Sequence, residues 1–240
     1  MSGNPLVIAI DGPSGSGKST LSRRLAGAYG LAYLDTGSTF RAVTLWCLRL
    51  GVELTDQDAV VVATQDCPLV MEMDPADPRV LLEGDDVTDL LHTGEISAVV
   101  SHVAVNLGVR AWLAGFQRGL IAEERTGGRS GGRGIVAEGR DITTVIAPDA
   151  DVRILLIADP AERLARRARE RHGVIDPAAI AATRDEVLRR DAQDSTVSEF
   201  MRASNGVATL DNSAMAADET FAAACQIIAE ITGRHPKEDA

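Results

Sequence analysis

The chain has 240 residues, 45% of them hydrophobic and 25% charged, with a formal net charge of −11 at pH 7. That balance is close to the soluble globular average and excludes disorder, collagen-like repeats and a disulfide-stapled miniprotein, while the length fits one large domain or a core carrying inserted subdomains. The acidic excess argues against a nucleic-acid partner, and apolar runs of about five residues fall far short of the roughly 20 a membrane helix needs, so no membrane partner is expected.

The opening MSGNPLVIAIDG has no basic stretch, and its apolar run leads straight into a loop, so it does not read as a secretory signal. Residues 7–10, ended by Asp11-Gly12, read as a buried strand. Residues 19–29 follow with helical spacing and a Gly30 stop. Residues 31–34 give a second strand, closed by Asp35-Thr36-Gly37. Residues 39–50 then read as a helix with Val43, Trp46, Cys47 and Leu50 on one face, and 56–64 as a short helix.

From Gln65 the pattern changes. Residues 69–73, a turn through 74–78 and residues 80–82 predict an antiparallel hairpin that 83–87 continue. Two helical patterns follow, 94–103 and 107–124. We read 65–105 as an insertion into an α/β core. Residues 127–134 (GGRSGGRG) read as a flexible basic loop, 135–137 and 152–157 as the third and fourth strands, and 160–171 as an arginine-rich helix. A further helix over 177–191, a fifth strand over 207–210 and a closing helix over 216–231 complete the order. Short apolar strands alternating with helices predict a parallel sheet covered on both faces. Cys47, Cys67 and Cys225 are far apart and make no CxxC, which reads as reduced thiols in a cytoplasmic protein.

Gly12-Pro13-Ser14-Gly15-Ser16-Gly17-Lys18-Ser19 satisfies GxxxxGK[ST] between a strand and a helix, with Thr20 one residue further on. Glycines let successive N–H groups turn inward to phosphate oxygens, and the helix that follows adds the positive end of its dipole. In this motif the lysine, here Lys18, reaches the β and γ phosphates, and the hydroxyl of Ser19 ligates Mg²⁺. Only Lys18 and Lys237 are lysines; the other 22 of the 24 basic residues are arginines. The motif thus holds the single lysine of the first 236 residues. Nucleoside triphosphate binding with magnesium follows. No lysine remains for the NKxD element with which GTPases read guanine.

Arginines in several separate segments point to phosphoryl transfer onto a second anionic substrate, since guanidinium groups bind phosphate bidentately. Thr36 and Arg41, after the second strand, suit a phosphate at the carboxyl end of the sheet; a helix cap with a surface arginine would look the same. Glu138-Gly139-Arg140-Asp141 holds the corresponding place after the third strand. There Arg140 suits a phosphate, and Asp141 either a base amino group or water around Mg²⁺; a surface loop with a salt bridge is the alternative. On the arginine-rich helix Arg163 and Arg167 share one face, and Arg166 and Arg169 another. A solvated face is one reading of that helix, and a lid that closes its arginines over the transferring phosphoryl group is the other.

These motifs resemble those of the bacterial cytidylate kinases of the nucleoside monophosphate kinase family. The resemblance rests on IDGPSGSGKST (10–20), LDTGSTFR (34–41), LEGDDVT (82–88), Val109-Arg110, EGRDITTV (138–145) and RRDAQDST (189–196). It implies a five-stranded parallel core (1–35, 106–160 and 179–240), a monophosphate-binding subdomain with an insertion (36–105), a lid (161–178) and a monomer. It also implies transfer of the γ-phosphoryl of ATP to CMP or dCMP. Of the matching positions, Arg41, Arg110 and Arg140 would hold the acceptor phosphate, with Thr36 beside them. Ser101 and Asp141 would read cytosine, and Arg190 with Asp194 would approach the sugar and phosphate. Three positions depart from the pattern: Phe40 replaces a usual Tyr, Thr143 a usual Gly, and Val197 a usual basic residue. Other acceptors such as UMP, dTMP or a metabolite remain open, as does a regulatory module that binds nucleotide without turnover.

Overall fold

In the computed structural model, which describes residues 4–172, 180, 184 and 201–237, the first apolar run forms β1 (Leu6–Asp11), buried along its whole length. A strand apolar at nearly every position needs cover on both faces. Leu6, Ile8 and Ile10 pack with Leu21 and Leu25 of α1 (Lys18–Tyr29) and with Ala224 and Ile228 of α7 (Ala217–Thr232). Val7 and Ala9 face the other way, onto Ala114 and Ile121 of α5 (Leu107–Thr126). With β2 (Ala32–Asp35), β6 (Gly134–Gly139), β7 (Val152–Ile157) and β8 (Ala208–Asp211), β1 builds a five-stranded sheet. The order is β2-β6-β1-β7-β8 and every pairing is parallel. The predicted parallel sheet flanked by helices is therefore what forms.

Between β2 and β6 lies a second unit with its own core. It comprises α2 (Thr36–Arg49), α3 (Gln57–Gln65), β3 (Leu69–Glu72), β4 (Arg79–Leu82), β5 (Asp85–Asp86), a 3₁₀ turn over Asp89–His92, and α4 (Gly94–Ala104). The predicted hairpin pairs Leu69 with Leu82 and Glu72 with Arg79. Val43, Trp46, Val60, Leu82 and Val103 are buried together, and Val109 and Leu113 of α5 close the same cluster. The next stretch of α5 serves the sheet through Ala114 and Ile121. One helix thus ties the two cores together. Its N-cap is Asn106, whose side chain accepts from the N–H groups of Gly108 and Val109.

Three local expectations change. The segment Asp35-Thr36-Gly37 is the start of α2 rather than a turn before it, because Asp35 accepts from Gly37 N (2.8 Å) and from the Ser38 hydroxyl (2.6 Å); a carboxylate at this position caps the first turn. Leu50, placed by spacing on the buried face of α2, is 52% exposed, since α2 ends at Arg49 and Gly51 reverses the chain at φ 69°. The glycine-rich loop after α5 is organised by a buried acid: Glu124, with no exposed surface, accepts from Arg129 N and Ser130 N at 2.7 Å each. The Ser130 hydroxyl oxygen then accepts from Arg133 N and Gly134 N, which delivers the chain into β6. The predicted helix over 177–191 lies outside the described residues, apart from Ile180 and Arg184, and so do residues 173–178 of the predicted lid.

Among the described residues all three cysteines are free, and burial followed by the neighbouring Cys47 pushes the Cys67 thiol up to about 12. No single described helix is long and apolar enough to cross a membrane. Glu124→Ala should leave the buried N–H of Ser130 and the partly buried N–H of Arg129 without this acceptor, at a cost of about 1–3 kcal/mol. The urea midpoint is expected to fall with little change in slope, and trypsin should cut faster at Arg129 and Arg133.

Candidate functional site

β1 ends at Asp11, and the chain turns at once into residues 12–17 before α1 begins. Two glycines there are required by contact. A Cβ on Gly12 (φ 156°) would stand 2.1 Å from the Leu156 carbonyl oxygen, and one on Gly15 (φ 77°) 2.5 Å from that of Arg163. The loop is also gripped from outside. Arg163 Nη1 donates to Ser14 O (2.9 Å), while Arg166 Nη1 and Asn212 Nδ2 donate to Ser16 O at 3.3 and 3.0 Å. Arg166 also donates to the Asn212 side chain and carbonyl. Gly17 caps α1 without a side-chain bond and the first turn holds no acid, which suits an anion at this end of the helix. Lys18 Nζ donates to Pro13 O at 3.0 Å, within the loop it serves.

The loop borders a cleft of about 250 Å³ at the carboxyl ends of β1, β2 and β6. In an open α/β sheet ligands bind at that edge. Of the residues singled out from sequence, Ser14, Gly15, Gly17, Lys18, Ser19 and Thr20 line it from the side of the phosphate loop, with Arg167 of α6 (Pro160–His172) beside them. Thr36, Arg41, Ser101, Arg110, Arg140 and Asp141 line it from the other side. Gly12, Pro13 and Ser16 belong to the loop behind the cleft lining. Arg190 and Asp194 lie outside the described residues.

Arg163, expected on a lid over the phosphoryl group, is placed against the phosphate loop itself. It is 4% exposed and holds the back of the loop through Ser14, a place that the helix register alone does not reveal. Thr36 lines the cleft, but its hydroxyl donates to Glu138 O (2.7 Å) across the β2–β6 pair, so its one proton serves the fold. Gly139 answers the same contact: a Cβ would lie 2.3 Å from Thr36 Oγ1, and this crowding demands glycine.

Arg41 is 4% exposed, and its Nη1 donates to Leu91 O (2.8 Å) and the Ser97 hydroxyl (3.0 Å), which binds α2 to the helix carrying Ser101. Arg110 donates to Ala104 O, lies 5.7 Å from the Phe40 ring centroid and forms an ion pair with Asp141. Arg110, expected beside the acceptor phosphate, is therefore held against the residue expected to read the base. Burial raises the Asp141 carboxyl, Arg110 lowers it, and the nearby Asp11 raises it again.

Sequence reasoning passed over a group of acids. Asp35 ends β2, Glu138 is the last residue but one of the adjacent β6, and the two are partners in register. Glu138 is buried; it accepts from the Tyr33 hydroxyl at 2.6 Å and is hydrogen-bonded to Ser19. Burial, then Asp35, push its carboxyl up to about 7 against the pull of Lys18. Each acid follows an apolar run, which was visible; that their strands are neighbours was not. A cation beside the Ser19 hydroxyl would relieve this crowding of negative charge.

Fold and loop together define a P-loop nucleotide-binding protein of the α/β class. The family model described as cytidylate kinase matches residues 8–230. A cytidylate kinase of Cutibacterium acnes is 45% identical over 230 residues, covering 95% of this chain and 98% of its own. One of Rhodococcus opacus is 40% identical, with 97% and 99% covered, and one of Streptomyces griseus 40%, with 79% and 78%. The chain belongs to the cytidylate kinase family.

The proton on Glu138 gives the site a pH signature. Ionisation is harder in the folded chain than in the unfolded one, so its favourable contribution is complete below about 4.5 and lost as pH rises through about 7. Urea stability measured in EDTA is expected to decline across that window, and Glu138→Gln to flatten the decline.

Proposed function

We propose that the cleft transfers the γ-phosphoryl of ATP to CMP or dCMP, giving ADP and CDP or dCDP. The observation that carries this reading is the meeting of Lys18 with Arg41, Arg140 and the Arg110–Asp141 pair along one cleft. A phosphate loop on one wall and arginines on the other suit two anionic substrates facing each other. Transfer then needs placement and charge stabilisation more than covalent help. An acceptor phosphate oxygen attacks the γ-phosphorus in line, and the bond to the bridging oxygen of ADP breaks. No separate base is required, because that oxygen is already anionic near neutral pH.

Lys18, freed from Pro13 O, turns to the β and γ oxygens, with Arg167 as a second cation at the same end. Arg41 and Arg140 hold the acceptor phosphate. Ser101 and Asp141 meet the cytosine edge, with Arg110 as the donor beside them; Arg190 and Asp194 complete the acceptor side in this reading. The crowded carboxyls of Asp35 and Glu138 next to Ser19 fit Mg²⁺, which when bound would neutralise phosphate charge. Ser19 would ligate it directly, and the two acids would hold its water shell.

A coupled ADP-release assay with ATP, Mg²⁺ and CMP, dCMP, UMP, dTMP, AMP, GMP or shikimate tests the acceptor. Turnover is expected to be strong with the first two, weak with UMP and absent with the rest. Lys18→Ala should lower kcat by about 10²-fold or more with an unchanged circular-dichroism spectrum. Near-normal turnover in that variant would overturn the proposal.

A further inference from the structure

Asp141 stands at the head of an unusual piece of backbone. Residues Ile142–Ile146 form a single π-helical turn, a rare element that recurs at functional sites. Val145 N and Ile146 N both donate to Asp141 O, at 2.8 and 3.1 Å, and Ala147 N donates to Ile142 O at 2.7 Å. Asp141 therefore occupies the N-cap position of this turn. An aspartate there ordinarily folds its carboxylate back onto the N–H groups of its own first turn. Asp141 makes no such bond.

The bonds are made by a residue 130 positions earlier. Asp11, 2% exposed at the end of β1, accepts from Ile142 N and Thr143 N at 2.8 Å each, one on each carboxylate oxygen. The oxygen that takes Thr143 N also accepts from the Thr143 hydroxyl at 2.6 Å. Three donors hold Asp11 in one orientation, and Asp11 holds the turn. With its own N–H groups already satisfied, the turn makes no demand on Asp141, whose carboxylate is left to the cleft and to Arg110.

We infer that Asp11, locked by Thr143, is a positioning residue for base selection: it caps the turn from outside so that Asp141 is presented to the acceptor base. The inference rests on the proposed role of Asp141 at the cytosine edge. It also gives the two substrate sites a shared part. Asp11 directly precedes Gly12, so the residue that aims the acceptor reader is the one from which the phosphate loop departs.

Thr143→Val removes one of the three donors while keeping shape and leaving both backbone N–H groups. It is expected to raise KM for CMP about fivefold and to lower kcat/KM for CMP relative to UMP by a similar factor, with KM for ATP within twofold of the parent. Thr143→Ser, which keeps the hydroxyl, should restore both acceptor values. Asp11→Asn places an amide hydrogen against a donor and should show a larger effect of the same kind; if it fails to fold, the Thr143 pair still decides. Asp141→Ala separates the two layers. If the CMP to UMP ratio survives that change, the role of Asp141 is wrong and the inference falls with it. If Asp141→Ala collapses the ratio, then Thr143→Val must have no further effect on it in that background, because the two act through one contact. A Thr143→Val enzyme with unchanged CMP values would overturn the inference. So would one in which the ATP and CMP constants rise together without rescue by serine, the mark of general loosening.

Discussion

The parallel register of three strands is the constraint from which the site follows. β6 lies between β2 and β1, with Asp35 opposite Glu138 on one side and Asp11 opposite Gly139 on the other. A slip of one residue on any one of these strands would turn that strand's side chains to the opposite face and break its pairing. Register is held because the strands are buried on both faces, so a shifted strand would carry an acid into the apolar layers. The same alignment gathers several negative charges at one edge. Their burial is compensated by Lys18, Tyr33, Ser19, Arg110 and the N–H groups of a π turn.

The phosphate loop shows the same economy of parts. Its glycines are placed by contacts with β7 and α6, and its outward carbonyls are taken by Arg163, Arg166 and Asn212. Those residues come from the far end of the chain. A loop whose carbonyls are tied down behind it is preorganised, so that little ordering entropy remains to be lost when an anion arrives. Three arginines of α6 thus divide their work: Arg163 and Arg166 support the loop and Arg167 reaches the cleft.

The wall of the cleft facing the phosphate loop draws on both cores. Arg41 and Ser101 belong to the unit between β2 and β6, Arg140 and Asp141 to the sheet, and Arg110 to α5, which packs in both. The ion pair between Arg110 and Asp141 joins α5, the helix that packs in both cores, to the residues that follow β6.

Much of this was legible in the chain itself. The phosphate loop, the strand order along the sequence and the inserted hairpin could be read because each depends on local chemistry: glycine freedom, apolar runs and turn residues. Arg41, Arg140 and Asp141 were legible as candidates because they follow strands at whose carboxyl ends ligands bind, whereas Arg110 was marked only by the resemblance. Tertiary structure alone decided what each one touches. It sent Arg163 to the back of the loop, spent the Thr36 hydroxyl on the fold, set Arg110 against Asp141, and brought Asp11, Asp35 and Glu138 to one edge. Sequence spacing determines which face of an element a residue occupies. Which elements become neighbours is set by how the apolar faces pack over the whole chain, and contacts between residues more than a hundred positions apart have no local trace.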